Sequence, residues 1–433
     1  MIERNANRPG YKKTPVGWIP VEWECQRLSE ALATIIDYRG KAPNKTEVGI
    51  PLITARNVRK GYIEFDAGKE FIPEEEYQSW MCRGMPRPGD VLFTTEAPLG
   101  NVAMFPENGK YALAQRLVTM RGRQDRMLGE FLLYFLLSPG GARSVERLGT
   151  GSTAIGIKQS TLLTLEIPLP PLPEQRQIAA ILSTWDTAID QTRALLAAAQ
   201  RRKKALMQQL LTGKKRLPGF GKPEKWQKTP CGHLPEDWQL KPLSEVFAPV
   251  KRRNAKGVTL VLTASGQKGL VDQRSYFSKA IAGAIQTGYY LLRRGEFAYN
   301  RSAMEDYPFG AIKRLELHDE GILSTLYSCF RLNDHNCDSD FYTQFFETRT
   351  LDRQLRSIAH VGGRAHGLLN VTDSDFYAIR APVPSLNEQR AIAAILATAD
   401  DEIKTLEAKA AALEQQKKGL MQKLLSGEIR VKG

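Results

Sequence analysis

Apolar and small residues recur in alternating steps of four and three along two segments of the chain. In the first segment the recurring positions are Ile178, Leu182, Trp185, Ile189, Thr192, Leu196, Ala199, Leu206 and Leu210. In the second segment they are Ile392, Leu396, Ala399, Ile403, Leu406, Ala410, Leu413, Leu420 and Leu424. Such steps place the side chains on one helix face, as in the seam of a coiled coil. The pattern predicts two long helices, each with one charged interruption in the same slot, Lys203 and Lys417.

The two helical segments are copies of each other. Residues 174–213 and 388–427 align without a gap and are identical at 22 of 40 positions. A shorter repeat precedes each half, at residues 14–23 and 229–238, and each copy ends on a Trp. Between these landmarks the halves barely match. We therefore expect one repeated scaffold with pseudo-two-fold symmetry that carries two dissimilar readers.

Charge predicts how the two helices pair. Residues 174–217 carry nine Lys or Arg against three Asp or Glu, whereas residues 388–431 carry seven of each. The acids of the second helix gather early and the bases of the first gather late. An antiparallel pair sets Arg201 beside Asp401 and Arg202 beside Asp400, whereas a parallel pair sets lysines beside lysines. We predict the antiparallel pair, with each exposed ion pair adding about 0.5 kcal/mol. The alternative is that each helix packs on its own domain.

The remaining sequence is mixed and rich in short apolar runs. Runs at residues 50–54 and 90–94, bounded by Gly and Pro, predict strands, and residues 127–137 and 340–355 predict helices. The expected fold class is α+β, with two similar strand-rich globular domains separated by a long antiparallel two-helix coiled coil. The expected segments are 1–173 for the first domain, 174–213 for the first helix, 214–228 for a linker, 229–387 for the second domain, 388–427 for the second helix and 428–433 for the tail.

Composition narrows the class of partner. At 433 residues with 42% hydrophobic content, two folded domains are expected. No apolar run approaches the ~20 residues that span a bilayer, and the start of the chain is unlike a signal peptide. The five cysteines form no CxxC, which favours a reducing, cytoplasmic setting. The net charge of +14 points to a polyanion, most often nucleic acid.

Polar and basic residues crowd the predicted connections. Arg and Gln can bond bidentately to guanine and adenine edges, and Lys more often contacts phosphates. The candidate DNA-contacting residues of the first domain are Arg39, Lys41, Arg56, Asn57, Arg59 and Lys60. Those of the second domain are Lys251, Arg252, Arg253, Gln267, Lys268, Arg301 and Arg364. Any single one is more often a solvated surface residue, so only the group favours a nucleic-acid face.

Signals for catalysis are incomplete. Residues 151–158 nearly form a phosphate loop but lack the Lys next to the second Gly. Residues 306–309 resemble the tetrad with which amino-methyltransferases hold a target amine, yet its first Pro is replaced and no cofactor loop occurs. Cys329, His335 and Cys337 lack a fourth ligand for a structural zinc site. The sequence therefore predicts a protein that is not an enzyme and holds no metal.

The combination of repeats resembles the specificity subunit of type I restriction–modification systems. The segments that carry the resemblance are Ile167–Ala179, Leu210–Lys214, Pro382–Ala393, Leu424–Gly427, Trp18–Trp23 and Gly89–Gly100. It covers essentially the whole chain. Thr94 and Thr95 lie in the family's loop, and Asn300 and Arg301 stand in their place in the second domain, where the match is looser. The resemblance adds Thr94, Thr95 and Asn300 to the candidate DNA contacts.

The resemblance implies a non-catalytic reader of double-stranded DNA. Each domain would read one half of a split, asymmetric site, and the helices would act as a ruler and dock two methyltransferase subunits. Those partners would supply S-adenosylmethionine, and restriction subunits would add ATP- and Mg-dependent translocation and cleavage, so this chain itself would bind no cofactor. Gln175, Arg176, Gln389 and Arg390 are expected to be exposed and to contact the methyltransferases.

Two other classes of function remain open at this point. One is a coiled-coil adaptor whose basic loops bind RNA or an acidic protein partner. The other is a self-contained methyltransferase–nuclease, which the missing cofactor motifs disfavour.

Overall fold

The computed structural model describes residues 5–38, 42–151, 155–276, 287–304, 306–361, 367 and 369–431. The chain divides into two compact units. Unit 1 consists of Met1–Arg193 with Ala408–Gly433, and unit 2 consists of Ala194–Glu407. Both divisions fall inside the long helices. Each unit therefore contains one globular domain, the first half of one long helix and the second half of the other.

The first half of the chain alternates short strands with short helices before its long helix. The strands are β1 (Tyr11–Thr14), β2 (Gly17–Pro20), β3 (Glu24–Arg27), β4 (Leu32–Asp37), β5 (Ile50–Ile53), β6 (Phe71–Ile72), β7 (Val91–Thr94), β8 (Val102–Met104), β9 (Ala112–Leu113), β10 (Leu117–Gly122) and β11 (Glu166–Leu169). The helices are α1 (Leu28–Ala31), α2 (Tyr77–Trp80), α3 (Gly129–Leu137), α4 (Pro139–Leu148), α5 (Gln159–Leu162) and the long α6 (Leu172–Leu210).

The second half repeats this order with differences. The strands are β12 (Trp226–Thr229), β13 (Gly232–Pro235), β14 (Gln239–Pro242), β15 (Phe247–Pro249), β16 (Leu262–Ser265), β17 (Gly269–Asp272), β18 (Tyr290–Arg293), β19 (Phe297–Asn300), β20 (Ala311–Arg314), β21 (Glu320–Leu323), β22 (Tyr327–Leu332), β23 (His360–Val361), β24 (Leu369–Asn370) and β25 (Arg380–Val383). The helices are α7 (Leu243–Val246), α8 (Gln273–Tyr276), α9 (Ser339–Glu347), α10 (Asp352–Ile358), α11 (Asp373–Ala378) and the long α12 (Leu386–Leu425).

A four-stranded antiparallel sheet of the same topology lies at the centre of each domain. Its order is β4-β10-β7-β8 in unit 1 and β15-β22-β19-β20 in unit 2. Unit 1 adds a three-stranded sheet, β6-β5-β9, in which β5 and β9 are parallel. The strands predicted at 50–54 and 90–94 are β5 and β7. The α+β class and the likeness of the two domains are confirmed.

One predicted helix divides into two. The helix predicted at 127–137 is α3, but the one predicted at 340–355 is α9 followed by α10. Arg349, between them, has a φ of 61°. This left-handed conformation cannot continue a right-handed helix.

The cores of the two domains are built from different residues. The unit 2 core stacks Phe297 on Phe330 with ring centroids 5.5 Å apart and sets Phe247 edge-on to both. The unit 1 core uses mainly aliphatic side chains from its central sheet and α3, such as Val118 and Leu132. The shared topology therefore does not depend on shared core residues.

A short strand pair closes each domain against a long helix. β3 pairs antiparallel with β11, and β14 pairs antiparallel with β25. β11 and β25 lead directly into α6 and α12, so this pairing brings the start of each long helix next to the Trp that precedes β3 or β14. Trp23 and Trp238 are almost completely buried there.

Within each unit the two helix halves run antiparallel. In unit 1, Lys417 pairs with Asp186, and Arg193 pairs with Glu414 at 2.8 Å. The predicted antiparallel orientation is therefore confirmed within unit 1.

The corresponding pairs in unit 2 correct the predicted partners. Arg202 pairs with Glu402 rather than Asp400, and Lys203 pairs with Asp400 at 2.5 Å. Arg201 and Asp401 are both exposed. The orientation is as predicted, whereas the register differs from the expected one by one or two residues.

The predicted seam residues all lie on the protected face. Each is buried or half-buried: Ile178, Leu182, Trp185, Ile189, Leu196, Leu206, Leu210, Ile392, Leu396, Ile403, Leu406, Leu413, Leu420 and Leu424. Lys203 and Lys417, which interrupt the seam, are only 18% and 14% exposed. Each forms an ion pair with an aspartate of the opposite helix, Asp400 for Lys203 and Asp186 for Lys417.

All five cysteines are free. Among the described residues, no helix combines the length and the apolar character needed to cross a bilayer.

A glycine in the left-handed region follows each long helix and contacts the domain of its unit. Gly213 and Gly427 have φ values of 67° and 68°. A Cβ on Gly427 would lie 2.4 Å from Cδ of Pro20, and one on Gly213 would lie 2.4 Å from Cγ of Pro235. Both the φ value and the close approach therefore require glycine.

We predict that Gly427→Ala destabilises the protein by about 1–3 kcal/mol, because the substitution adds backbone strain and a clash with Pro20. Gly419→Ala is the matched control. Gly419 lies inside α12, and its Cβ would meet nothing within 4 Å. That change should stabilise by about 0.5–1 kcal/mol, the usual helix preference for Ala over Gly. Urea unfolding of the two variants measures both, and a Gly427→Ala variant as stable as wild type would contradict the packing described.

Candidate nucleic-acid interface

In unit 1, Asn57 builds the loop that presents Arg56 and Lys60. Its carboxamide oxygen accepts hydrogen bonds from the backbone N–H and hydroxyl of Thr54, at 2.9 and 2.8 Å. Its NH2 group donates to the carbonyls of Glu64 and Ala67, at 3.1 and 2.9 Å. Asn57 is only 4% exposed. This corrects its expected position on the DNA-facing surface, because its polar groups are occupied within the loop.

The basic residues near Asn57 differ in whether their side chains are exposed or bonded within the domain. Arg56 and Lys60 are exposed. Arg59 donates from Nε to Glu64 at 2.7 Å and is half-exposed. Arg56 and Lys60 are therefore the side chains of this loop that are free to reach a ligand.

A cleft of about 200 Å³ lies beside this loop. Its lining includes Arg56 together with Lys45, Gln115 and Arg116, none of the last three being expected from the sequence. Arg116 pairs with Glu96 at 3.1 Å, and Lys45 pairs with Glu70 at 2.8 Å. A cleft lined by both Arg and Gln side chains suits hydrogen bonding to base edges. No sequence periodicity could reveal this set, because residues 45, 56 and 115 come from separate connections.

Thr94 and Thr95 are buried, which corrects the expectation that they contact DNA. The Thr94 hydroxyl donates to the carbonyl of Pro98 at 2.6 Å and accepts from the N–H of Asn101 at 2.9 Å. Thr95 is 3% exposed. Both residues hold the shape of the loop that follows β7 and leave no polar group at the surface.

In unit 2, the basic run after β15 contains one ion-paired arginine between two exposed residues. Arg252 forms a bidentate pair with Glu296, at 3.2 and 3.0 Å. Arg253 lies over the ring of Tyr290, 4.6 Å from its centroid, and Lys251 is exposed. Lys251 and Arg253 can therefore face a ligand, whereas Arg252 holds this segment to Glu296, the residue before β19.

The turn between β16 and β17 presents two exposed polar side chains, Gln267 and Lys268. The N–H of Lys268 donates to the hydroxyl of the buried Ser265 at 3.2 Å. Gly269 has a φ of 76° and completes the tight turn. A Gln and a Lys at the tip of a rigid hairpin suit one contact to an adenine edge and one to phosphate.

Asn300 and Arg301 are held inside the domain more than the sequence suggests. Asn300 is buried, and its carboxamide oxygen accepts from the N–H of Ser302 at 3.1 Å. Arg301 donates to the hydroxyl of Ser328 and pairs with Asp373. Asn300 is thus corrected from a surface contact to a turn-forming residue. Arg39, Lys41 and Arg364 lie outside the described residues.

The glutamines expected at the partner-binding surface are completely buried. The carboxamide of Gln175 accepts from the N–H of Leu128 at 3.0 Å and donates to the carbonyls of Arg126 and Pro170, at 2.7 and 2.9 Å. It thus joins the start of α6 to the segment before α3. The expectation that Gln175 is exposed is wrong, because all of its polar atoms bond to the backbone of its own domain.

Gln389 repeats this arrangement in unit 2. It accepts from the N–H of Asp338 at 2.8 Å and donates to the carbonyls of Asn336 and Pro384, at 3.1 and 2.8 Å. Its expected exposure is therefore wrong as well. The adjacent Arg176 and Arg390 are exposed, and Arg390 lies 3.9 Å from Asp338.

A buried glutamate completes each attachment of domain to helix. In unit 1, Glu174 accepts from the indole N–H of Trp23 at 2.9 Å and from Arg430 at 2.8 and 3.0 Å. In unit 2, Glu388 accepts from the indole N–H of Trp238 at 3.1 Å and pairs with Arg216.

Both glutamates are shielded from water, at 5% and 1% exposed. Burial raises the pKa of the Glu388 carboxyl, and its bonds to Arg216 and Trp238 act in the opposite direction. Identical chemistry therefore fixes both domains to their helices.

The incomplete catalytic and metal-site motifs of the sequence do not form complete sites in the described residues. Tyr307 donates its hydroxyl hydrogen to Glu347 at 2.6 Å inside unit 2. Burial raises the pKa of the Cys329 thiol to about 12, so it is not a reactive thiolate. Across the described ranges, no group of three or more His, Cys, Asp or Glu side chains is placed to hold a metal ion. Residues 152–154 of the near phosphate loop lie outside the described residues.

Comparison with known proteins identifies relatives over nearly the full length. A family model described as the type I restriction modification DNA specificity domain matches residues 20–201 and again residues 235–415. The MjaX specificity subunit of a type I restriction enzyme from Methanocaldococcus jannaschii is 26% identical over 431 residues, which cover 98% of this chain and 97% of the relative. The MjaVIII specificity subunit from the same organism is 24% identical over 440 residues, with 96% and 94% covered.

Solved structures share the fold. A chain from a structure concerned with complex assembly and conformational transition of the type I restriction–modification system aligns with a TM-score of 0.55 at 18% identity, covering 95% of this chain and 99% of that one. The specificity subunit of a type I system from M. genitalium aligns with a TM-score of 0.53 at 14% identity, covering 93% and 96%.

We predict that Gln175→Ala destabilises unit 1 by about 1–3 kcal/mol, because it leaves buried backbone groups of Leu128, Arg126 and Pro170 without their hydrogen bonds. Arg176→Ala, one residue away and exposed, should change stability by less than about 0.5 kcal/mol. Chemical denaturation of the two variants tests the corrected assignment. Equal losses would show that Gln175 does not hold the domain to the helix.

Proposed function

The chain belongs to the family of type I restriction–modification DNA specificity domains, and on this basis we propose that it reads a bipartite, asymmetric DNA target with one half-site for each domain. The observation that carries the proposal is the double match of the family model, one copy in each half of the chain. The relatives are named specificity subunits, the DNA-recognition components of these systems. The chain accordingly acts in recognition and not in catalysis.

The two units share their domain-to-helix attachments but differ in their exposed loop residues, and this difference supports an asymmetric target. The Trp–Glu–Arg attachments of the two units are chemically identical. The exposed residues are not, since unit 1 presents Arg56 and Lys60 whereas unit 2 presents Gln267 and Lys268. Different side chains at the reading surfaces select different base edges. The same contacts therefore hold two domains that present different side chains to the DNA.

Assembly with partner subunits follows from the same symmetry. We infer that two methyltransferase subunits bind, one for each copy of the helical repeat, and that Arg176 and Arg390 are among the exposed residues they contact. Restriction subunits join this assembly. S-adenosylmethionine, ATP and Mg belong to those partners, and this chain binds none of them. The complex acts in the cytoplasm, where its DNA target lies.

The alternative of a coiled-coil adaptor for RNA or an acidic protein is not supported, because the relatives over nearly the whole chain are specificity subunits. The self-contained methyltransferase–nuclease loses its support for the same reason.

The test of this function is methylome sequencing of a host that carries the partner methyltransferase, with and without this gene. We expect a two-part methylated motif with a fixed unread spacer, present only with the gene. A host that carries the methyltransferase alone is the control. Methylation at a single contiguous motif, or none that depends on the gene, would contradict the proposal.

The helices are proposed to set the spacer. Removing one heptad from each long helix shortens each by about 10.5 Å, so the preferred spacer should fall by about 3 base pairs. Gly419→Ala, which leaves helix length unchanged, is the control. Mapping of the methylated motif in both variants measures the spacer. An unchanged spacer in the shortened protein would refute the hypothesis that helix length sets it.

A further inference from the structure

A lysine inside unit 2 connects the β16–β17 turn to the rest of its domain. Lys313 lies on β20 and is only 5% exposed. Lysine is seldom buried this deeply unless it is paired. Its surroundings therefore indicate what the charge is used for.

The three donors of the Lys313 ammonium are all occupied. It donates to the carbonyl of Gly266 at 2.8 Å, to the Tyr307 hydroxyl at 3.0 Å and to the Glu347 carboxylate at 2.6 Å. Tyr307 in turn donates to Glu347 at 2.6 Å. We call Lys313, Tyr307 and Glu347 the Lys313 cluster. It joins a turn, a loop, a strand and a helix at one point.

The acceptor at Gly266 belongs to the turn that exposes Gln267 and Lys268. A Cβ on Gly266 would lie 3.3 Å from the Tyr307 ring, so the cluster also packs against this turn. Because the turn's own carbonyl is bonded to a buried ammonium, its tip cannot shift without breaking a charge-assisted hydrogen bond. The Lys313 cluster thus fixes where Gln267 and Lys268 project.

On its other side, the cluster is connected to the long helix α12 through α9. The residue before α9, Asp338, bonds to Gln389 at 2.8 Å, and Gln344 within α9 donates to Asp400 at 2.8 Å. Glu347, the last residue of α9, belongs to the cluster. One rigid helix therefore connects the unit 2 part of α12 with the turn.

Among the residues of unit 1 that the structure describes, no equivalent of this connection occurs. The matching position is Ala103, which pairs with Leu92 on β7 as Lys313 pairs with Ala298 on β19. Ala103 is fully buried among apolar side chains. The buried charge is thus a property of the second domain's turn and not of the shared sheet.

We propose that Lys313, together with Glu347, is a positioning residue for base recognition by the second domain. It holds the β16–β17 turn so that Gln267 and Lys268 meet the DNA in one orientation. This inference rests on the proposed function, since it assigns the turn to one of the two half-sites. It predicts that losing the cluster affects one half-site only.

The test compares variants of the full chain, each co-expressed with the partner methyltransferase, by methylome sequencing. Lys313→Met should lower the preference for the correct base at one or more positions of a single half-site by about tenfold. Gln267→Ala, at the turn itself, should alter the same half-site. The other half-site and the spacer should remain as in wild type.

A matched control comes from another ion pair of the same unit. Lys241 pairs with Asp334 at 2.8 Å and is partly buried, and its ion-pair partner lies outside the β16–β17 turn. Lys241→Met removes a paired lysine as Lys313→Met does, and it should leave both half-sites unchanged. The double variant Lys313→Met/Glu347→Met removes both charges, so it does not strand a buried carboxylate. This double variant can be tested in place of Lys313→Met if the single variant does not fold.

Several outcomes would overturn the inference. Folded Lys313→Met or double variants that read both half-sites as wild type would do so, as would equal changes in both half-sites or in the Lys241→Met control. Failure of both cluster variants to fold would assign the cluster to domain stability instead. A wild-type protein that yields no two-part motif would refute the proposed function itself, which separates the two failures.

Discussion

In each unit, a buried glutamate at the start of one long helix accepts hydrogen bonds from a domain tryptophan and from an arginine that follows the other long helix. Removing one member of such a buried charged pair leaves the other without compensation, which costs about 3–5 kcal/mol. Glu174 and Glu388 therefore hold together segments that are far apart in sequence. In unit 1 these are the first domain and the residues after α12, since Arg430 reaches Glu174 across 256 positions. The two-unit organisation depends on this contact.

The two units share the contacts that attach a domain to the long helices, although the domain residues that make some of these contacts differ. The glutamine beside each glutamate bonds to the backbone ahead of α3 or α9, and the lysine in each seam reaches an aspartate that the domain also contacts. Asp186 accepts from Tyr134 at 2.8 Å, and Asp400 accepts from Gln344 at 2.8 Å. Different domain residues thus bond to the same aspartate position.

Polar residues in the seam also choose the orientation of the helices. Lys203 and Lys417 lie where a coiled coil normally has an apolar residue, and only an antiparallel pairing brings each beside an aspartate. Buried polar residues at such positions are known to specify register and orientation at some loss of stability. The charge distribution along each helix agrees with the same arrangement, so local sequence and packing select one orientation.

The sequence by itself determined the repeat, the two long helices, their seam and their antiparallel sense, because each depends on spacing or charge along one segment. It also showed that the loops of the two domains differ. Only the tertiary structure decided which loop residues are free, since burial depends on chain segments that sequence spacing does not relate. Asn57, Thr94, Asn300 and the glutamines of the repeat have surface chemistry, yet they are buried. The first three bond to backbone groups of their own loop or turn, and the glutamines bond to backbone groups of a distant segment of their domain. Lys313 shows the converse, a charged residue whose partners at positions 266, 307 and 347 are brought together only by the fold.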